Sequence, residues 1–185
     1  LALDERNEGW AAGLQLAALA LQYQSNPAAF VETFRGSHRY VLDYLAEEVI
    51  RQLGEQIRAF LIQTSILERF NAEICSVLTD REDSLAVIAQ LEQANLFIIP
   101  LDDERRWYRY HHLFGDYLRS LLSKVERQAL CRKASLWHED NDFAAEAVSY
   151  ALESGDLDFA ADVIDRALAK ETTWSQGDLA RWLAW

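Results

Sequence analysis

The sequence predicts a mainly α-helical protein carrying one β-hairpin, and three observations predict it. Apolar residues recur at spacings of three and four along almost the whole chain. One stretch alone, Leu96–His111, changes to β-branched and aromatic residues flanking a charged turn. In the last third, small residues, alanine above all, line the helical stripes. With 185 residues, 50% hydrophobic and 11% aromatic, the chain has enough apolar material for one large domain or two small ones, which excludes a disordered polymer.

The first stripe runs from about Glu8 to Tyr23 through Trp10, Leu14, Ala17, Ala18 and Leu21. Ser25-Asn26-Pro27 stops it and opens a short helix with Phe30 and Phe34, closed by Gly36. Ser37 is placed to cap the next helix, whose buried face is Val41, Leu42, Leu45 and Val49. After Gly54, helices are expected at about Glu55–Leu67, Asn71–Thr79 and Asp83–Ala94, with Asn71 and Asp83 or Ser84 at their starts. Leu96–Leu101 and Trp107–His111 then read as two strands joined by Asp102-Asp103-Glu104-Arg105-Arg106, with Pro100 putting the first strand at an edge. Three helices followed by a hairpin is the order of a winged-helix domain, with the hairpin as wing. Helices resume at His112. Beyond Leu122, stripes at Leu130–Trp137, Phe143–Ala151 and Phe159–Leu168, and a last one with Leu179, Trp182 and Leu183, read as tetratricopeptide-like antiparallel helix pairs. About one and a half such units are visible, so the chain is expected to stop inside an array, and the absence of any Met suggests a piece of a longer product.

Composition narrows the function. The net charge of -12 repels phosphates and anionic lipid, and no apolar run is long enough to span a bilayer. The two cysteines, Cys75 and Cys131, lack a CxxC partner and fit a reducing cytoplasm rather than a disulfide framework or a zinc site. No phosphate-cradling GxxxxGK[ST] or GxGxxG, no HExxH and no GxSxG occurs, so no catalytic residue is assigned and no metal site is expected. Glu47-Glu48, Asp102-Asp103-Glu104 and Glu139-Asp140-Asn141-Asp142 read as solvated charge at helix ends and turns.

Two features could still carry chemistry. His111-His112 falls where the second strand runs into a helix, beside Arg105, Arg106 and Arg109. One reading is a histidine satisfied by backbone; the other is an anion contact at a helix start. Adjacent strand residues point to opposite faces, so the pair is not expected to ligate one metal. The second feature is the wing. From Glu82 to Glu104 there is no Lys or Arg, so the expected reading helix is acidic; only the tip, Arg105-Arg106, is basic. Direct DNA binding therefore needs the wing tip alone, and a protein-contact role fits the charge better.

Several segments resemble MalT-like, LuxR-family ATP-dependent transcriptional regulators. They are Glu8–Ala17, Gly36–Leu45, Phe60–Leu67, Pro100–Glu104 with Trp107–Phe114, and Arg181-Trp182-Leu183, in the same order along the whole chain. The resemblance implies a STAND-type ATPase with a P-loop core, a helical domain, a winged helix, a superhelical sensor and often a C-terminal helix-turn-helix. Residues 1–36 would end the helical domain, 37–122 form the winged helix and 123–185 begin the repeat sensor. ATP or ADP would be bound by the parent protein and not by this segment. The implied partners are its own nucleotide-binding and repeat domains, with homo-oligomerisation on activation. In the wider class a winged-helix histidine touches the β-phosphate of ADP; the Tyr-Arg-Tyr-His-His run places that role on His111, with Arg109 beside it and His112 the weaker candidate. The implied function is a non-catalytic regulatory segment coupling nucleotide state to sensor. The alternatives are a DNA-binding winged helix acting through Arg105 and Arg106, and an enzyme with an unrecognised site.

Overall fold

A computed structural model describes Glu47 and residues 50–94 and 96–169. The stripes expected at Glu8–Tyr23, at Phe30 and Phe34, through Val41, Leu42, Leu45 and Val49, and after Gly177 lie outside these residues. The elements are α1 (Glu55–Thr64), α2 (Ala72–Thr79), α3 (Ser84–Gln93), β1 (Ile98–Pro100), β2 (Tyr108–Tyr110), α4 (His112–Ser120), α5 (Lys124–Asp140), α6 (Ala144–Glu153) and α7 (Leu157–Ala169).

Local chemistry sets the boundaries. The Ser65 hydroxyl donates to the Ile62 carbonyl at 2.7 Å and α1 stops at Thr64, earlier than expected, so Ile66 and Leu67 are buried from a turn instead. Asn71 caps α2 as its position suggested: its Oδ1 accepts the Ile74 amide at 3.0 Å. Asp83 precedes α3 without capping it: its carboxylate instead accepts from Nε and Nη2 of Arg81, at 2.8 and 2.7 Å. α5 starts six residues before the expected Leu130, at Lys124, behind a reciprocal Ser123–Glu126 capping box.

The hairpin pairs antiparallel, Ile98 with Tyr110, Ile99 with Arg109 and Pro100 with Tyr108. A third strand position completes it. Phe70, between α1 and α2, bridges Tyr108 through two 2.8 Å backbone hydrogen bonds. Helix, bridge, two helices and a hairpin is the full winged-helix order, anchored by Phe70 and Tyr110 with ring centroids 4.7 Å apart.

One continuous core holds Phe60, Phe70, Ile74, Leu91, Phe114 and Leu118 together with Leu130, Cys131, Ala134 and Trp137 of α5 and Tyr150 of α6. A second, smaller core joins α6 to α7 through Ala147, Val148, Ala151, Phe159, Ala160, Val163 and Ala167. The alanines let the two helices approach closely, as the small-residue stripe suggested. The architecture is therefore mainly helical: a winged helix running into an antiparallel helix pair and a further helix.

Candidate functional site

The wing and the strand-to-helix junction contain every residue that the sequence singled out. β2 alternates as a half-buried strand: Tyr108 and Tyr110 are buried, Arg109 is half-buried on the opposite face. The Tyr110 hydroxyl lies 2.7 Å from that of Thr64, which itself donates to the Phe60 carbonyl. Burial pushes the Tyr110 phenol far above its usual range, so it stays neutral and structural.

The strand ends one residue later. His111 is the N-cap residue of α4, 8% exposed, its amide donating to the Phe97 carbonyl at 2.8 Å and its carbonyl accepting the Gly115 amide at 2.9 Å. Both bonds belong to the main chain and not to the imidazole. Phe97 reaches this bond with φ 56, a left-handed conformation that bulky residues avoid, and its ring packs on Phe114 with centroids 5.0 Å apart. Gly115 keeps α4 close to β2: an added Cβ there would stand 3.4 Å from Tyr110 Cβ.

The expectation that His111 and His112 point to opposite faces is corrected. Their ring centroids lie 4.4 Å apart with planes inclined 31°. Alternation holds only along a strand, and the chain turns into α4 between the two residues. Among the described residues no group of three or more His, Cys, Asp or Glu is placed to hold a metal. The start of α4 carries no acidic residue in its first turn and no side-chain cap, so its positive dipole end is not already neutralised from within the helix. That environment suits an anion, and His111 stands at it.

The wing tip is different. Arg105 bends back to Glu92 on α3 at 2.6 Å, and Arg106 pairs with Glu104 at 2.8 Å. The Asp102 carboxylate accepts the amides of Arg106 and Trp107, both at 2.9 Å, closing the turn from inside. These backbone bonds hold the Asp102 carboxyl below its ordinary range. Both tip arginines therefore already face carboxylates. The exposed side of α3 presents Leu85, Ala86, Ala89, Gln90 and Gln93, so the reading helix expected to be acidic is neutral there: Glu82 and Asp83 precede it and Glu92 is taken up by Arg105.

Sequence reasoning missed a second cluster at the root of the wing. Arg69, one residue before the Phe70 bridge, lies over the rings of Trp107 and Phe143, its guanidinium carbon 4.7 and 5.2 Å from their centroids. It also bonds Glu146 on α6 at 3.1 Å. His138 and Tyr150 stack beside it at 5.0 Å, and a cavity of about 370 Å³ opens between Glu68, Arg69, Leu101, His138, Glu146 and Tyr150. The signal was faint: a lone Arg before a phenylalanine, with partners 38 and more positions away.

These features define a class first: a winged-helix domain, built on three helices and a wing, that shares its core with a following helix pair. Residues 46–130 match the model of the MalT winged helix domain, so the chain carries a winged helix of that family. It is 37% identical over 177 residues to the HTH-type transcriptional regulator MalT of Vibrio campbellii, covering 93% of this chain and 19% of that protein. The MalT of Klebsiella pneumoniae subsp. pneumoniae is 32% identical over 161 residues, 84% of this chain and 18% of the relative. The serine/threonine-protein kinase PknK of Mycobacterium tuberculosis is 32% identical over 168 residues, 89% of this chain and 15% of the kinase. The chain thus spans about a fifth or less of these relatives. No described helix is long and apolar enough to cross a membrane.

Proposed function

We propose that this chain is a non-catalytic regulatory segment of an ATP-dependent transcriptional activator, whose winged helix couples the nucleotide state of a P-loop core to a helical-repeat sensor begun by α5, α6 and α7. Its partners are then the nucleotide-binding and repeat domains of the same cytoplasmic protein, with self-association on activation. Residues 1–36 end the preceding helical domain, 37–122 are the winged helix and 123–185 start the sensor.

The observation that carries this reading is the charge of the reading helix and wing. A duplex docking there meets neutral α3 side chains and arginines already paired with Glu92 and Glu104. Each phosphate contact needs a cation, and a typical site uses several. The face suits contact with protein better than contact with DNA.

In the same reading His111 contacts a β-phosphate of ADP held by the parent protein, with Arg109 adjacent in β2. The start of α4, with no acid in its first turn, supports it. A charge-assisted bond of this kind made in one state alone is worth about 1–3 kcal/mol, enough to bias a two-state switch. His111→Leu in the full-length protein should weaken ADP retention and favour the active form; unchanged ADP affinity would remove the assignment. The first experiment is fluorescence anisotropy of the 185-residue chain against a labelled random duplex from low to physiological salt. No binding even at low salt is expected, whereas salt-sensitive binding with a slope of several phosphates would transfer the function to Arg105 and Arg106.

A further inference from the structure

We infer that the winged helix and the α5–α6 pair are one mechanical unit, pinned at the root of the wing by Arg69, so that the first helices of the repeat region move with the winged helix and not against it. This inference deepens the coupling reading and takes its use from it, but its test does not depend on nucleotide.

Arg69 touches three elements at once. Its guanidinium lies over Trp107 at the base of the wing and Phe143 in the α5–α6 turn, and its Nη2 donates to Glu146 Oε1 of α6. Trp107 in turn meets the edges of Trp137, at 6.4 Å and 71°, and Phe143, at 5.8 Å and 87°. The Glu68 amide donates to the Tyr150 hydroxyl at 3.0 Å, tying the α1–α2 connection directly to α6. One turn back along α5 from Trp137, Lys133 bonds Asp80 at the end of α2 at 2.7 Å.

The seam is apolar beneath these contacts. Leu130, Cys131, Ala134, Trp137 and Tyr150 belong to the same buried cluster as Phe70 and Ile74, so separating the helix pair would open the winged-helix core itself. A planar guanidinium between two rings and a carboxylate is satisfied in one relative orientation of wing and helix pair and loses contacts in any other. That makes Arg69 a register pin, where a lysine would keep the charge but lose the stacking.

Hydrogen exchange on the 185-residue chain tests this, with peptides from α2, the wing, α5 and α6 followed across a urea series. In the unaltered chain the slowest amides of α2 and α5 should lose protection at the same urea concentration. Arg69→Ala should accelerate exchange in both the wing and α6 by a similar factor, about five- to ten-fold for one cation–π and ion-pair cluster, while far-UV circular dichroism is unchanged. Arg69→Lys should fall between the two. Earlier opening of α5–α6 than of α2, acceleration confined to one side of the seam, or an Arg69→Lys variant equal to the unaltered chain would overturn the inference. A failure of the coupling reading alone, seen as nucleotide-insensitivity of the parent protein, would leave these exchange rates as expected.

Discussion

At the scale of single residues, buried polar groups at the wing and its root do the specifying. His138 is 1% exposed, its Nδ1–H donating to the Ala134 carbonyl at 2.7 Å, and burial lowers its pKa below the ordinary 6.5. The folded chain therefore prefers neutral imidazole. As pH falls below about 6.5 the unfolded chain binds a proton that the folded chain resists, so stability is lost from there down to the lowered folded pKa. Urea midpoints at pH 7 and pH 5 should show that loss, and His138→Phe should flatten it. Tyr110 makes a second case. Thr64 already donates to Phe60, so the Tyr110 hydroxyl donates to Thr64, and Tyr110→Phe should cost about 1 kcal/mol in thermal or chemical unfolding. His111 was legible as a position before it was legible as a geometry. Sequence order put it at the strand-to-helix junction, but alternation misled on His112, because that rule stops where the strand does.

At the scale of elements, the capping signals that were read correctly are those with a local mechanism. Asn71 is the example. Ser123 is silent in the sequence because residues 124–129 are exposed apart from half-buried Gln128, so no apolar stripe announces the start of α5. Its hydroxyl and Glu126 nonetheless fix the start of α5: Ser123→Ala should lower stability by about 1 kcal/mol and fray the helix as far as Leu130, visible as faster amide exchange there. The Phe70 bridge was illegible for a different reason. One paired residue has no period, and its partner Tyr108 lies across two intervening helices. Elements that owe their place to a distant neighbour are the ones that a linear pattern does not show.

At the scale of the whole molecule, two cores of unequal size share α6, and damage should spread accordingly. Phe70→Ala removes a fully buried ring from the larger core and should cost about 3–5 kcal/mol, with the winged helix and α5 unfolding in one transition. Ala151→Leu overfills the smaller core by three carbons and should cost about 1–3 kcal/mol, releasing α7 while near-ultraviolet signals from Trp107 and Trp137 persist. The mainly helical class, the hairpin and the helix pairs were all legible from periodicity. The sharing of α5 between wing and repeat was not, since amphipathic stripes give the width of a buried face but not the identity of what covers it. The alanine face of α6 has a further consequence for how such proteins diversify. A helix that docks on a shallow strip of methyl groups needs little shape of its own, so an array can lengthen or shorten from α7 outward by accretion, leaving the aromatic joint at the wing untouched.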